Sequence, residues 1–153
     1  MNREAIITAL FNLVSASASF ATASRRLKLW SGVASSQKPA LFMVERSENY
    51  ARASEAAPEA VTIQVDIYIY IDAGKDESIV PSSVMNPLID AVDAALAPSH
   101  LTGLQTLGGL VSHCWIEGKV MKDAGDLDGD GVAVIPVKIR IIKKHAAACS
   151  ARA

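Results

Sequence analysis

Aromatic residues are scarce in this chain: Phe, Trp and Tyr make up 5% of it, against an apolar share of 50%. Its apolar content is therefore mostly Ala, Val, Ile and Leu, and the core they predict is aliphatic. Net charge is scarce too, since 15 basic and 16 acidic residues leave −1 at pH 7. General nucleic-acid binders and membrane-surface binders advertise net positive charge, so neither class is indicated, although a local basic patch is compatible with this balance. Cys114 and Cys149 are the only cysteines, too few for a disulfide scaffold, and a reducing compartment fits. No apolar run reaches the roughly 18 residues of a membrane span. The stretch from Ala5 to Val14 is interrupted by Thr8 and Asn12, which suits an amphipathic helix better than a signal peptide.

Catalytic signatures are missing as well. No G-x-S-x-G, H-E-x-x-H, P-loop or dinucleotide fingerprint occurs, and no Ser, His and acid arrangement stands out, so neither an enzyme nor a cofactor is expected. The sharpest local motif, Asp126-Leu127-Asp128-Gly129-Asp130-Gly131, opens like an EF-hand calcium loop. It then lacks the bidentate carboxylate at the twelfth position, which is Val137, and its right flank is strand-like, so an acidic hairpin tip is the better reading. His113, Cys114, His145 and Cys149 make a poor zinc set, because adjacent residues of a strand point to opposite faces.

What the sequence does contain is organised around Val61 to Ile71. Every odd position there is β-branched and apolar while the even ones are Thr, Gln, Asp, Tyr and Tyr, a period of two that predicts a strand with one buried face. Such a strand is long against the usual five or six residues, which places it at the centre of a sheet. Before it, Asn2 can cap a helix whose stripe is Ile6, Ile7, Leu10, Phe11, Leu13 and Val14. A first strand is expected in the later half of Phe20 to Trp30, a loop over 31–38, and a short second strand at Ala40 to Val44. The polar stretch from Glu45 to Ala60 reads as a long exposed connection.

After the central strand, Asn86-Pro87 reads as the start of a second helix with Leu88, Ile89, Val92, Ala95 and Leu96 on one face, stopped by Pro98. A fourth strand spans Val111 to Lys122, weakened or bulged at Gly118, followed by a turn over 123–131. The last strand carries Ile135, Val137, Ile139 and Ile141, and Pro136 marks its start or an edge position. The expectation is one α+β domain over 1–144, with a mixed or antiparallel sheet of about five strands and two helices on one face, and a flexible tail over 145–153.

The residues singled out are interface candidates. Arg25 and Arg26 suit a phosphate or an acidic partner surface, and Arg46 and Arg52 lie in the polar connection. Trp30 and Trp115 suit either an interface anchor or the core. Tyr68 and Tyr70 fall on the even face of the central strand, to be wet, covered by another element, or covered by a neighbouring subunit. Asp126, Asp128 and Asp130 sit at the acidic tip.

Arg25-Arg26-Leu27-Lys28-Leu29-Trp30, Gln37-Lys38-Pro39-Ala40-Leu41-Phe42, Ile67-Tyr68-Ile69-Tyr70, His113-Cys114-Trp115-Ile116-Glu117-Gly118 and Val134-Ile135-Pro136-Val137, in that order, span most of the chain. In this the sequence resembles the tail terminator (tail completion) proteins of long-tailed bacteriophages. The resemblance implies a virion protein at the tail-neck junction, forming a ring, by expectation a hexamer, on the end of the tail tube. It implies as partners further copies of the chain, the tail tube protein and a head-side connector, with no nucleic-acid contact specified, no membrane and no cofactor. The 45–60 connection and the 123–131 turn are the segments expected to meet neighbours or stacked rings.

Overall fold

The computed structural model describes residues 1–55, 57–127 and 129–143. In chain order these form α1 (Arg3–Ser15), β1 (Thr22–Ser24), β2 (Ala40–Ala51), β3 (Ala60–Asp72), α2 (Pro81–Ala95), β4 (His113–Ile116), β5 (Met121–Leu127) and β6 (Asp130–Ile142). The strands make one six-stranded sheet in the order β1-β2-β3-β6-β4, with β5 also paired to β6. Among the described residues only the β1–β2 pair is parallel, so the sheet is mixed and the class is α+β.

The central strand is where the period of two places it. β3 pairs with β2 on one side and with β6 on the other, and Val61, Ile63, Val65, Ile67, Ile69 and Ile71 are all buried. They meet Ile6, Ile7, Leu10 and Val14 of α1, Met85 and Val92 of α2, and Ile135, Val137 and Ile139 of β6. Fully burying each such side chain is worth about 1.5–3 kcal/mol. Ile67→Ala would open a cavity there at a cost of roughly 2–5 kcal/mol.

Local chemistry sets the helix ends. Asn2 Oδ1 accepts from the Ala5 N–H at 3.1 Å, capping α1. α2 begins earlier than the Asn86-Pro87 pair suggests: Pro81 opens it and Pro87 lies inside it. An internal proline typically costs a helix about 3 kcal/mol. Pro87 is exposed, and extending the helix through Val84 and Met85 seats a fully buried Met85 in the core, so packing outweighs the lost backbone bond.

Four further expectations are corrected. The first strand is Thr22–Ser24, not the later half of the 20–30 stretch, and Arg25 to Leu29 is irregular. The 45–60 segment is not one long connection, because β2 continues to Ala51 and closes a hairpin with β3. A bulge between Glu45 and Ser47 makes this possible. It shifts the alternation by one residue, so that Leu41, Met43 and Glu45 face the helices before it and Glu48 and Tyr50 after it. The segment from Val111 to Lys122 is not one strand: it breaks at Gly118, whose φ is +117°, into β4 and β5. The 123–131 turn is largely strand, since β5 runs to Leu127 and Leu127 pairs with Asp130.

Pro136 is neither at the start of β6 nor at an edge. Its carbonyl accepts from the Glu117 N–H at 3.1 Å, so its nitrogen faces the same way, toward the place where β4 gives way to β5. The missing donor falls where no strand needs it.

Candidate interface

One face of the sheet lies under the helices; the other carries the even residues of β3 and β6. Among the described residues that second face is covered at one end only. Residues 25–38 cross it as a strap, with Val33 packed on Ala40, Phe42 and Tyr70 in a small second core. Tyr70 donates its hydroxyl to the Lys28 carbonyl at 2.8 Å, and burial raises its pKa. Lys38, its side chain only 4% exposed, donates to Asp130 at 2.6 Å. Ser35 and the Gly74 N–H bond Asp72 and hold its carboxyl below the ordinary range. At the nearby tip, Gly129 has φ +90° and a Cβ there would lie 2.3 Å from the Gly74 carbonyl oxygen, so only glycine fits.

Beyond the strap the face is open and polar. Arg46, the bulged residue, donates to Asp66 at 2.7 Å and to the Tyr68 hydroxyl, with its guanidinium 5.5 Å from the Tyr68 ring centre. Trp115 donates from Nε1 to Glu117 at 2.6 Å and stacks on His113 with ring centres 4.9 Å apart. Lys138 also bonds Glu117 and, with Trp115, holds its carboxyl below the ordinary range. Gln64, Asp66, Glu117, Pro136 and Lys138 line a shallow depression of about 420 Å³.

The candidates therefore divide. Arg46, Tyr68 and Trp115 share the open face. Tyr70 and Asp130 are engaged by the chain's own strap, which supplies the cover of the central strand's even face at that end. Arg25 turns the other way, bonding Glu4 at 3.2 Å and Glu45 at 3.3 Å on the helix side, while Arg26 and Trp30 are exposed. Arg52 pairs with Glu59 at 3.9 Å in the β2–β3 loop. Asp128, the side chain of Asp126, His145, Cys149 and the 145–153 tail lie outside the described residues.

Sequence reasoning missed several partners. Arg3 donates to Glu48 at 2.6 and 2.8 Å and pulls the Glu48 pKa down, tying α1 to β2. Lys38 and Lys138 were equally invisible, because their pairings join residues far apart in the chain; Trp115 and Glu117, two apart in sequence, left a local signal.

Among the described residues no group of three or more His, Cys, Asp or Glu could hold a metal ion, and no buried side-chain nitrogen or oxygen lacks a hydrogen-bond partner. Cys114 is buried in the core, and desolvation pushes its pKa up to about 12. No described helix is long and apolar enough to cross a membrane. On the open face Arg46 pairs with Asp66 and Tyr68, and Glu117 with Trp115 and Lys138.

No protein-family model matches this chain. No curated protein matches it either. Among solved structures it is similar to a chain from the virion of a native gene transfer agent (GTA) particle, at TM-score 0.55 and 13% identity. The match covers 92% of this chain and 97% of that one, so the likeness is of the whole fold.

Proposed function

We propose that this chain is a structural virion protein, without enzymatic activity, that forms a ring capping the end of a phage tail tube. The ring stops tube polymerisation and offers a joining surface to the head-side connector. The observation that carries this reading is the full-length likeness to a chain of a gene transfer agent virion. It agrees in kind with the resemblance to tail terminators found on the sequence alone. The open face supports it further, since Arg46, Tyr68 and Trp115 supply aromatic and guanidinium groups of the sort that anchor interfaces. A ring needs two different patches on each copy, and the strand order leaves two chemically different edges, β1–β2 and β4–β5.

Native mass measurement of the purified chain, alone and with polymerising tail tube protein, tests the reading. A sixfold particle and tubes capped at a fixed length are expected. Tubes that grow unchecked in its presence would overturn the capping role, and a ring that binds portal-side rather than tube protein would instead make it another neck component.

A further inference from the structure

The chain carries a ridge that stands exposed among the described residues. Shortly after β1, Leu27, Leu29 and Trp30 are exposed, Leu29 to 78%, and Arg26 before them and Lys28 among them have no acidic partner among the described residues. At the other end of the strand order, α2 and β4 enclose a groove of about 370 Å³ lined by Asp93, Ala94, Pro98, His113, Trp115 and Ile116. Asp93 stands on its rim, and Asp90, three residues earlier, lies on the same exposed side of α2; neither has a cationic partner among the described residues. One patch is basic and apolar, the other acidic and apolar. Leu29 is exposed and no ridge residue lines the groove, so the ridge does not fill the groove of its own chain.

We propose that the ridge of one copy docks into the α2–β4 groove of the next, with Leu29 filling the groove and Arg26 and Lys28 facing Asp90 and Asp93. This rests on the ring reading above and assigns its contact. The two patches are different surfaces of one chain, so each copy gives a ridge and receives one, which is the head-to-tail arrangement that closes by rotation. Opposite charge fixes the orientation and rejects ridge-to-ridge or groove-to-groove pairing. The groove is of a size that accepts a large apolar group, within the about 300–1,000 Å³ span of small-molecule pockets.

Charge reversal supplies the test. Asp90→Lys with Asp93→Lys, and separately Arg26→Glu with Lys28→Glu, should each abolish the ring mass seen for the unaltered chain, and all four substitutions in one chain should restore it. As an independent arm, Lys28→Cys with Asp93→Cys and Cys149→Ser, treated with a short bis-maleimide, should give a ladder of linked species rising past the dimer. If the unaltered chain forms rings but the reversals leave them intact and no ladder appears, this contact is wrong and the ring reading stands. If the unaltered chain forms no ring and the cysteine variant gives no linked product, both fall together. A product that stops at the dimer indicates a two-fold pairing and overturns the head-to-tail contact.

Discussion

Asp130→Asn isolates the tether that holds the strap to the sheet. The Lys38 side chain is 4% exposed and Asp130 23% exposed, with 2.6 Å between Nζ and Oδ1. A hydrogen bond to a charged group contributes about 1.5–3 kcal/mol. Removing one member of a fully buried pair costs about 3–5 kcal/mol, because the other charge is left without a partner. Asp130 retains some access to water, so Asp130→Asn is expected to cost about 2–3 kcal/mol, mostly the cost of the stranded Lys38 ammonium. Lys38→Met removes that ammonium, keeps the apolar stem, and leaves Asp130 to rehydrate, for roughly 1 kcal/mol. In a chain of this length about 1 kcal/mol moves Tm by roughly 2–4 °C, giving about 4–12 °C for Asp130→Asn and about 2–4 °C for Lys38→Met. Urea titrations should show the same ordering at unchanged m, and Lys38→Met with Asp130→Asn should cost less than Asp130→Asn alone. If Lys38→Met is as costly as Asp130→Asn, the argument from burial fails.

Three further outcomes follow from the same reasoning. Tyr70→Phe should cost about 1 kcal/mol through the lost bond to the Lys28 carbonyl, and Tyr70→Ala roughly 3–5 kcal/mol, since the ring fills the second core with Phe42; thermal melts that rank the two equally would contradict this. The Cys114 thiol, buried and raised to about 12, should resist alkylation at pH 8 until the chain unfolds, and peptide mapping that finds it modified in the folded state would show that the core opens there. Glu48 is held below its ordinary 4.5 by Arg3, so its contribution to stability is full above that pH and lost as the pH falls through its lower folded value. Arg3→Met should flatten that acid limb in stability measured against pH, whereas an unchanged limb would mean that the pair does not couple to folding.

The alternation Val61 to Ile71 is enough by itself to define a buried face, because a strand's side chains alternate strictly and a row of β-branched residues has one place to go. The stripe of α1 and its Asn2 cap are local for the same reason: both depend on residues three or four apart. Polar sequence misled where pairing was remote. Glu45 to Ala51 reads as a loop, yet β3 supplies its backbone partners, the bulge re-aims its side chains, and Arg3 and Arg25 meet its carboxylates. Pro87 and Pro136 read as boundaries, yet one is outweighed by the burial of Met85 and the other sits where its neighbour strand changes.

Of the candidate interface, the sequence alone determined residue types: tryptophans, tyrosines and arginines placed along strands and beside them. Which of them meet was decided only in three dimensions. The strap that takes Tyr70 and Asp130 inward, the open face that gathers Arg46, Tyr68 and Trp115, and the groove between α2 and β4 all join segments distant in sequence. Local periodicity assigns a side chain to a face, but only the strand order and the helix packing decide what stands opposite it.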